Sequence, residues 1–184
     1  MPFRCNLPDM PSSVVIRPVR SADVHDITTI YAHAVEHGTA SFEIEPPSEA
    51  EMATRQKMLL DGGFPCIVAD AGGVVAGYAY AGPYRPRIAY RYTLEDSVYV
   101  HPRAVRRGIG RLLLTELIAE AETRGFRQMV AVIGDSTQLP SIELHRALGF
   151  LLVGTLAHVG FKHGRWLDSV LMQRELGAGA KTKP

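Results

Sequence analysis

A short glycine- and arginine-rich segment joins an apolar strand to an amphipathic helix near the middle of this 184-residue chain. The strand pattern covers Leu94–Val100, and the segment after it reads RAVRRGIGR at positions 103–111. From Gly108 to Arg124 the pattern is that of a helix, with Gly125 as its stop signal. Its apolar side is formed by Ile109, Leu112, Leu113, Leu117 and Ala121. A strand that leads through such a loop into a helix indicates an α/β architecture.

The same segment has the chemistry of an anion site. Free N–H groups and the dipole at a helix start favour a phosphate, and glycines allow its close approach to the backbone. Four arginines within nine residues add forked donors for phosphate oxygens. The alternative is a solvated basic turn with a glycine cap. Leu113 stands where a dinucleotide fingerprint has its third glycine, so the pattern alone does not name the ligand.

The order of predicted elements along the chain is β-α-α-β-β-β-α-β-α-β-β. This order predicts one mixed sheet with helices on both faces, an α/β (α+β) fold. We predict a flexible N-terminal arm over residues 1–12, one domain over residues 13–176, and a disordered tail over residues 177–184.

Composition excludes several classes of function. Lys and Arg total 20 against 19 Asp and Glu, and this balance argues against a nucleic-acid or anionic-membrane binder. No run of about 20 apolar residues predicts a membrane span, and the N-terminus lacks the apolar core of a signal peptide. Two cysteines, Cys5 and Cys66, fit a reducing, cytoplasmic location. The histidines show no zinc spacing, so no metal is expected.

Four further segments carry a resemblance to a known family. PYRPRIAYRYTLEDSVYVHP leads into the basic loop, VAVIGDS and LHRALGF follow the long helix, and GFKHGRW lies near the end. With the basic loop, they make the chain resemble the GCN5-related N-acetyltransferases (GNAT), and among these the phosphinothricin and methionine sulfoximine N-acetyltransferase family. The resemblance covers about Val14 to Glu175. It implies the GNAT-type acyl-CoA N-acyltransferase fold, with a mixed, mostly antiparallel central sheet and helices on both faces.

The resemblance also implies where acetyl-CoA, the co-substrate, binds. Its pantetheine arm is expected along the strand edge formed by Val98, Tyr99 and Val100, and backbone N–H groups near Tyr99 and Val100 would hold the oxyanion. The loop expected around the pyrophosphate consists of Arg106, Arg107, Gly108, Ile109, Gly110 and Arg111. Gln138 and Ser141 are expected to contact the cofactor from the facing helix. Two positions depart from the family pattern: Val105 replaces Gln or Arg, and Gln138 replaces Asn.

For the chemistry, the resemblance implies Glu95 as the base that takes a proton from the amine. His145 is a candidate acid for the departing thiolate, although a bound water or a plain packing role is equally consistent with the residues. The expected amine site combines residues from three segments: Phe42, Glu43, Arg85, Arg87, Tyr90, Asp96 and Ser97. Surface or core roles remain the alternatives for these side chains. The family usually forms homodimers.

The sequence therefore predicts an acetyl-CoA-dependent N-acetyltransferase. The expected acceptor is the α-amine of a small amino-acid analogue such as phosphinothricin, methionine sulfoximine or methionine sulfone. One alternative is an acetyltransferase for another amine, such as a polyamine or a protein N-terminus. The other is a catalytically weak acyl-CoA sensor, which the departures at Val105 and Gln138 would favour and an intact Glu95 opposes.

Overall fold

The computed structural model describes residues 13–184, and the predicted N-terminal arm lies outside this range. Seven strands form one sheet in the order β1-β2-β3-β4-β5-β7-β6. Every neighbouring pair is antiparallel except β4 and β5, which are parallel. The strands are β1 Val15–Pro18, β2 Cys66–Asp70, β3 Val75–Pro83, β4 Thr93–Val100, β5 Gln128–Gly134, β6 Leu151–Lys162 and β7 Arg165–Glu175.

Four α-helices cover the two faces of this sheet. They are α1 Val24–His37, α2 Glu49–Asp61, α3 Ile109–Thr123 and α4 Leu139–Ala147. Side chains of α1 and α2 pack with Cys66, Val68 and Tyr78 into one buried cluster. On the opposite face, α3 and α4 pack with alanines and larger apolar residues of β2 to β5 into a second cluster. No helix within residues 13–184 is both long enough and apolar enough to cross a membrane.

The predicted element order and fold class are confirmed. Ser48 caps α2 as its spacing from Glu51 predicts, because the Ser48 hydroxyl accepts a hydrogen bond from the Glu51 N–H at 3.2 Å. One detail of α3 was wrong: Leu112 is 47 % exposed, and Leu114 is buried in its place. The buried stripe follows Leu113, Leu114, Leu117 and Ile118, because successive residues of a helix rotate by about 100° and Leu112 falls beside the stripe.

The parallel pair β4 and β5 separates part-way along its length. Only Thr93–Asp96 of β4 pairs with residues of β5, from Gln128 to Ala131. Beyond Asp96, residues 97–100 still pair with β3 but have no partner in β5. Because backbone groups of a strand point alternately to its two neighbours, some N–H and C=O groups of residues 97–100 face an open gap. This gap determines where a ligand can meet the sheet.

Candidate active site

The gap between β4 and β5 opens into a narrow cleft of about 70 Å³. One wall is formed by residues 96–99 of β4, and the other by residues 131–134 of β5. Gln138, Ser141 and His145 of α4 close the cleft, together with Ala40 from the segment between α1 and α2. Val98 and Val100 pack against the core on the α3 face, so the strand edge here is held rigidly.

The basic loop lies between β4 and α3, and its backbone takes an unusual course. Arg106 has φ 61° and Gly108 has φ 80°, so two residues of the loop are left-handed. Such turns let successive N–H groups point into one concave site that suits an anion. Gly110 allows close packing on α4, since a Cβ there would lie 3.3 Å from the Leu144 side chain. Ile109 is buried and anchors the helix start.

The arginines of this loop surround the helix start with positive charge. Arg106, Arg107 and Arg111 are exposed. Within the described chain, their guanidinium groups form no ion pair. The loop therefore combines left-handed backbone, free helix N–H groups and available forked donors, which together favour a polyphosphate.

Glu95 lies on β4 on the opposite side of the strand from Asp96. By alternation it shares a face with Ser97 and Tyr99, and Tyr99 packs edge to face against Tyr31 of α1 at 5.1 Å. Burial raises the pKa of Glu95, the nearby Arg85 lowers it, and Asp96 adds to the increase; the net shift is upward. A carboxylate with a raised pKa beside the cleft has the properties of a general base.

Arg85 and Tyr90 belong to the segment between β3 and β4. The Arg85 guanidinium stacks on the Tyr84 ring at 4.4 Å and donates to the Tyr84 carbonyl. Tyr84 in turn meets Tyr90 edge to face at 5.8 Å. Arg87 is exposed at the start of the short helical turn that carries Tyr90. The structure therefore brings Arg85 close to Glu95, and it leaves Arg87 accessible on the same loop.

Asp96 and His145 form a buried pair on the α4 side of the sheet. His145 Nε2 lies 3.0 Å from Asp96 Oδ2, and His145 Nδ1 lies 2.7 Å from the Ser141 carbonyl oxygen. A carbonyl only accepts, so Nδ1 carries a proton, and an ionised Asp96 requires a second proton on Nε2. Burial lowers the pKa of His145, but the hydrogen bond and charge of Asp96 outweigh it and raise that pKa overall.

The sequence pattern of the Acetyltransferase (GNAT) family matches residues 27–150. The chain belongs to the GNAT acetyltransferase family. A phosphinothricin N-acetyltransferase of Alcaligenes faecalis is 54 % identical over 92 % of this chain and 86 % of its own length. An L-methionine sulfoximine/L-methionine sulfone acetyltransferase of Salmonella typhimurium is 41 % identical over 89 % of this chain and 95 % of its own.

Solved structures that resemble this chain belong to the same family. A GNAT superfamily phosphinothricin acetyltransferase from Sinorhizobium meliloti, in complex with AcCoA, superposes with a TM-score of 0.90 at 50 % identity. The match covers 93 % of this chain and 92 % of that one. This GNAT chain is therefore an N-acetyltransferase, and the recognition of its family from sequence is confirmed. Its open β4 edge, left-handed loop and available arginines fit acetyl-CoA.

Several predicted contact residues of this acetyltransferase already have partners within the protein. Gln138 donates from its side-chain amide to Thr39 Oγ1 at 3.0 Å, so it links α4 to the segment after α1. Glu43 accepts from Arg55 of α2 at 2.7 Å. Asp96 turns away from Arg85, toward His145. The roles of these residues in binding acetyl-CoA or the amine remain predictions. A ligand that contacts them would have to share or replace their internal hydrogen bonds.

Phe42 is held by residues to which the sequence assigned no individual role. A Cβ on either Gly134 or Gly160 would collide with the Phe42 ring, so these two glycines form a slot for it. Lys162 is buried at the end of β6, and its ammonium donates to the Ser41 carbonyl at 2.7 Å. Burial lowers the pKa of Lys162, partly offset by Glu43. Arg55 and Lys162 thus fix the segment that carries Phe42 and Glu43.

Within residues 13–184, no group of three or more His, Cys, Asp or Glu side chains is arranged to hold a metal ion. The histidines around the outer surface of α1 include a stacked pair, His33 and His37, with ring centroids 4.5 Å apart. His25 faces Glu49 at 3.1 Å. These three histidines are exposed, and their contacts lie on the surface of the protein, outside the cleft.

Proposed function

We propose that this protein transfers the acetyl group of acetyl-CoA to the α-amine of small amino-acid analogues, such as phosphinothricin, methionine sulfoximine and methionine sulfone. The observation that carries the proposal is Glu95, a half-buried carboxylate of raised pKa, beside Arg85 and next to the opening of the β4–β5 gap. The relatives named above, at 54 % and 41 % identity, support this class of substrate.

In this proposal, acetyl-CoA lies along residues 98–100 of β4, with its pyrophosphate at the Arg106–Arg111 loop. Backbone N–H groups that face the gap near Tyr99 and Val100 accept the developing oxyanion. The arrangement is built from main chain and needs no reorganisation during the reaction. Holding both reactants in one cleft supplies much of the rate.

The amine nitrogen attacks the thioester carbonyl carbon directly. Glu95 takes one proton from the substrate ammonium before this attack. The amide bond then forms, the carbon–sulfur bond breaks, and the further proton that the nitrogen loses passes to the departing thiolate of coenzyme A. The pKa of a free thiol is about 8.5, so the thiolate is a fair leaving group. His145 lines the cleft with both ring nitrogens engaged. Asp96 raises the pKa of His145, and in this proposal the shift favours a charged ring beside the departing thiolate.

Arg85 and Arg87 are proposed to hold the carboxylate and the second polar group of the amino-acid analogue. Two guanidinium forks match a substrate with two anionic or strongly polar ends. Phe42, Glu43, Tyr90 and Ser97 complete the proposed amine site. A polyamine or a basic protein N-terminus would require an acidic groove, and the arginines of this loop oppose that alternative.

We also propose a homodimer that uses the edge strand β6. Six large apolar residues of this strand are each at least 50 % exposed: Leu151, Leu152, Val153, Leu156, Val159 and Phe161. An edge strand that is apolar and exposed along its length is a docking surface for another chain. We propose a cytoplasmic location, which the free, buried Cys66 thiol supports.

The proposed activity is tested by thiol release from acetyl-CoA across a panel of amines. Phosphinothricin, methionine sulfoximine and methionine sulfone are compared with spermidine and with a peptide that carries a free N-terminus. The proposal predicts saturable turnover with the three analogues and far lower turnover with the other amines. The Glu95→Gln protein is the matched control for non-enzymatic release. Faster turnover with spermidine or the peptide, or no turnover with any amine, would contradict the proposal.

A further inference from the structure

The turn between β5 and α4 covers residues 135–138 and leads from one wall of the active-site cleft to another. Gly134 at its start and Gln138 at its end both line the cleft. Asp135 has φ 75°, so the chain turns through a left-handed residue that is not glycine. Few other residues adopt this conformation, and Asp and Asn are among those that tolerate it best. The chain thus changes direction at Asp135 between the two walls.

Both carboxylate oxygens of Asp135 have a donor inside the protein. The residue is 3 % exposed, and its Oδ1 accepts a hydrogen bond from the Thr137 N–H at 3.0 Å. Its Oδ2 accepts from the guanidinium of Arg165, the first residue of β7. Burial raises the pKa of Asp135, but the hydrogen bonds from Thr137 and Arg165 outweigh burial and lower that pKa overall. Asp135 is therefore an ionised carboxylate that joins the turn to β7.

Asp168 of β7 holds the same turn at two further points. Its carbonyl accepts the Asp135 N–H at 2.8 Å, and its carboxylate accepts the Ser136 hydroxyl at 2.6 Å. The turn leads directly into α4, because the Asp135 carbonyl accepts the N–H of Gln138 at 3.0 Å and the Gln138 carbonyl accepts the N–H of Ser141 at 3.1 Å. A continuous series of hydrogen bonds therefore runs from β7 through Asp135 to the residues of α4 that close the cleft.

We propose that Asp135, paired with Arg165, is a positioning residue for acetyl-CoA. Neither residue lines the cleft, so the pair acts through the turn, by fixing the distance between the end of β5 and the start of α4. That distance sets where Gln138 and Ser141 meet the cofactor. The inference rests on the acetyl-CoA site of the proposed function, and it adds to that site a residue that acts from outside the cleft.

The test measures binding of acetyl-CoA by calorimetric titration without an amine, so that it does not depend on turnover. Asp135→Ala removes both contacts of the carboxylate, and Kd for acetyl-CoA should rise about 3- to 30-fold. Asp135→Asn keeps an oxygen for the Thr137 N–H and loses the charge that faces Arg165, so its Kd should rise about two- to fivefold. In steady-state kinetics, KM for acetyl-CoA should rise with Kd, whereas KM for phosphinothricin should stay unchanged.

Asp23 is the matched control, because it is a buried carboxylate with the same kinds of donor and does not line the cleft. It is 6 % exposed and accepts from Arg17 at 2.7 and 2.8 Å and from the Arg20 N–H at 2.7 Å. Asp23→Ala and Asp23→Asn should lower the free energy of unfolding as the substitutions of Asp135 do. They should leave Kd for acetyl-CoA unchanged.

A wild-type Kd in a folded Asp135→Ala protein overturns the inference. So does an equal rise of Kd in the Asp23 variants, or an equal rise of KM for both substrates, because a loss of stability alone would explain either result. If Asp135→Ala does not fold, Asp135→Asn decides, and an unchanged Kd in this variant overturns the inference. Absence of saturable acetyl-CoA binding by the wild type would overturn the proposed cofactor site and this inference with it.

Discussion

The two halves of the candidate active site are built from different parts of the chain. The half proposed to bind acetyl-CoA, here the acetyl-CoA half, is made mostly of main chain within about 14 consecutive residues, from Val98 to Arg111: an open strand edge, two left-handed residues and a helix start. The half proposed to bind the amine, here the amine half, is made of side chains from distant segments: Arg85 and Glu95 near β4, and Glu43 paired with Arg55 of α2. Local backbone geometry determines the first half, and long-range packing determines the second.

The two halves should respond differently to substitutions. A main-chain site tolerates most side-chain changes and fails when the backbone is strained or a like charge is introduced. Val105 is an example of such a side-chain change, because its side chain is 52 % exposed and contributes no polar group to the loop. A side-chain site is sensitive to the loss of single groups, because each donor or acceptor is supplied once.

The largest effect is expected at Glu95. Glu95→Gln keeps the shape of the side chain and removes its ability to take a proton, so kcat should fall by ~10²–10⁴-fold. The pKa of Glu95 is raised, so wild-type activity should decline as the pH drops through that pKa, and this dependence should disappear in the variant. Steady-state kinetics between pH 5 and 9 measure both effects. A wild-type pH–rate profile in Glu95→Gln would exclude Glu95 as the base.

A smaller effect is expected for the arginines of the amine half. Hydrogen bonds to charged groups contribute ~1.5–3 kcal/mol, so Arg85→Ala and Arg87→Ala should each raise KM for phosphinothricin ~10- to 150-fold. KM for acetyl-CoA should stay nearly unchanged, and Lys at either position should restore binding only in part. Arg91→Ala is the matched control, because the Arg91 guanidinium stacks on Tyr92 at 4.6 Å on the same loop. An equal defect in Arg91→Ala would contradict the assignment.

The acetyl-CoA half is tested at Gly108. Gly108→Glu introduces a negative charge at the helix start, and KM for acetyl-CoA should rise at least ~10-fold because like charges repel the phosphates. Gly108→Ala is the matched control for the effect of charge. It imposes the same left-handed backbone strain at φ 80° without a charge, and a Cβ at this position meets no atom within 4 Å. We expect the Ala variant to be much less affected. Unchanged KM for acetyl-CoA in a folded Gly108→Glu protein would move the phosphate site elsewhere.

The smallest effect concerns stability and arises where the two halves meet, at Asp96 and His145. The raised pKa of His145 stabilises the fold below its unfolded value of about 6.5, and this contribution is lost as the pH rises through the folded pKa. Asp96→Asn replaces a charge-assisted hydrogen bond by a neutral one, so it should lower the free energy of unfolding by ~1–2 kcal/mol at pH 6 and by less at pH 9. Urea unfolding at the two pH values measures this. An equal loss of free energy at pH 6 and pH 9 would show that Asp96 and His145 do not form an ion pair.

The same contrast explains what the sequence could predict. The loop around Gly108, the element order and the mixed sheet follow from local patterns. The choice between Leu112 and Leu114 does not, because both are apolar and lie about 100° on either side of the buried Leu113. The contacts of the amine half could not be predicted. Lys162 reaches Ser41 across 121 residues, and the slot for Phe42 needs glycines from two strands. Nothing in the local pattern around Lys162 or Gly160 indicates these contacts.

A double-mutant cycle tests most directly whether the two halves act separately. Values of kcat/KM are measured for the wild type, for Gly108→Glu, for Arg85→Ala and for the double variant, with phosphinothricin at saturating acetyl-CoA and with acetyl-CoA at saturating phosphinothricin. Separate sites predict that the effects of the two substitutions add in free energy to within about 0.5 kcal/mol. A coupling energy above about 1 kcal/mol, or a rise in the same KM for both single variants, would contradict the account.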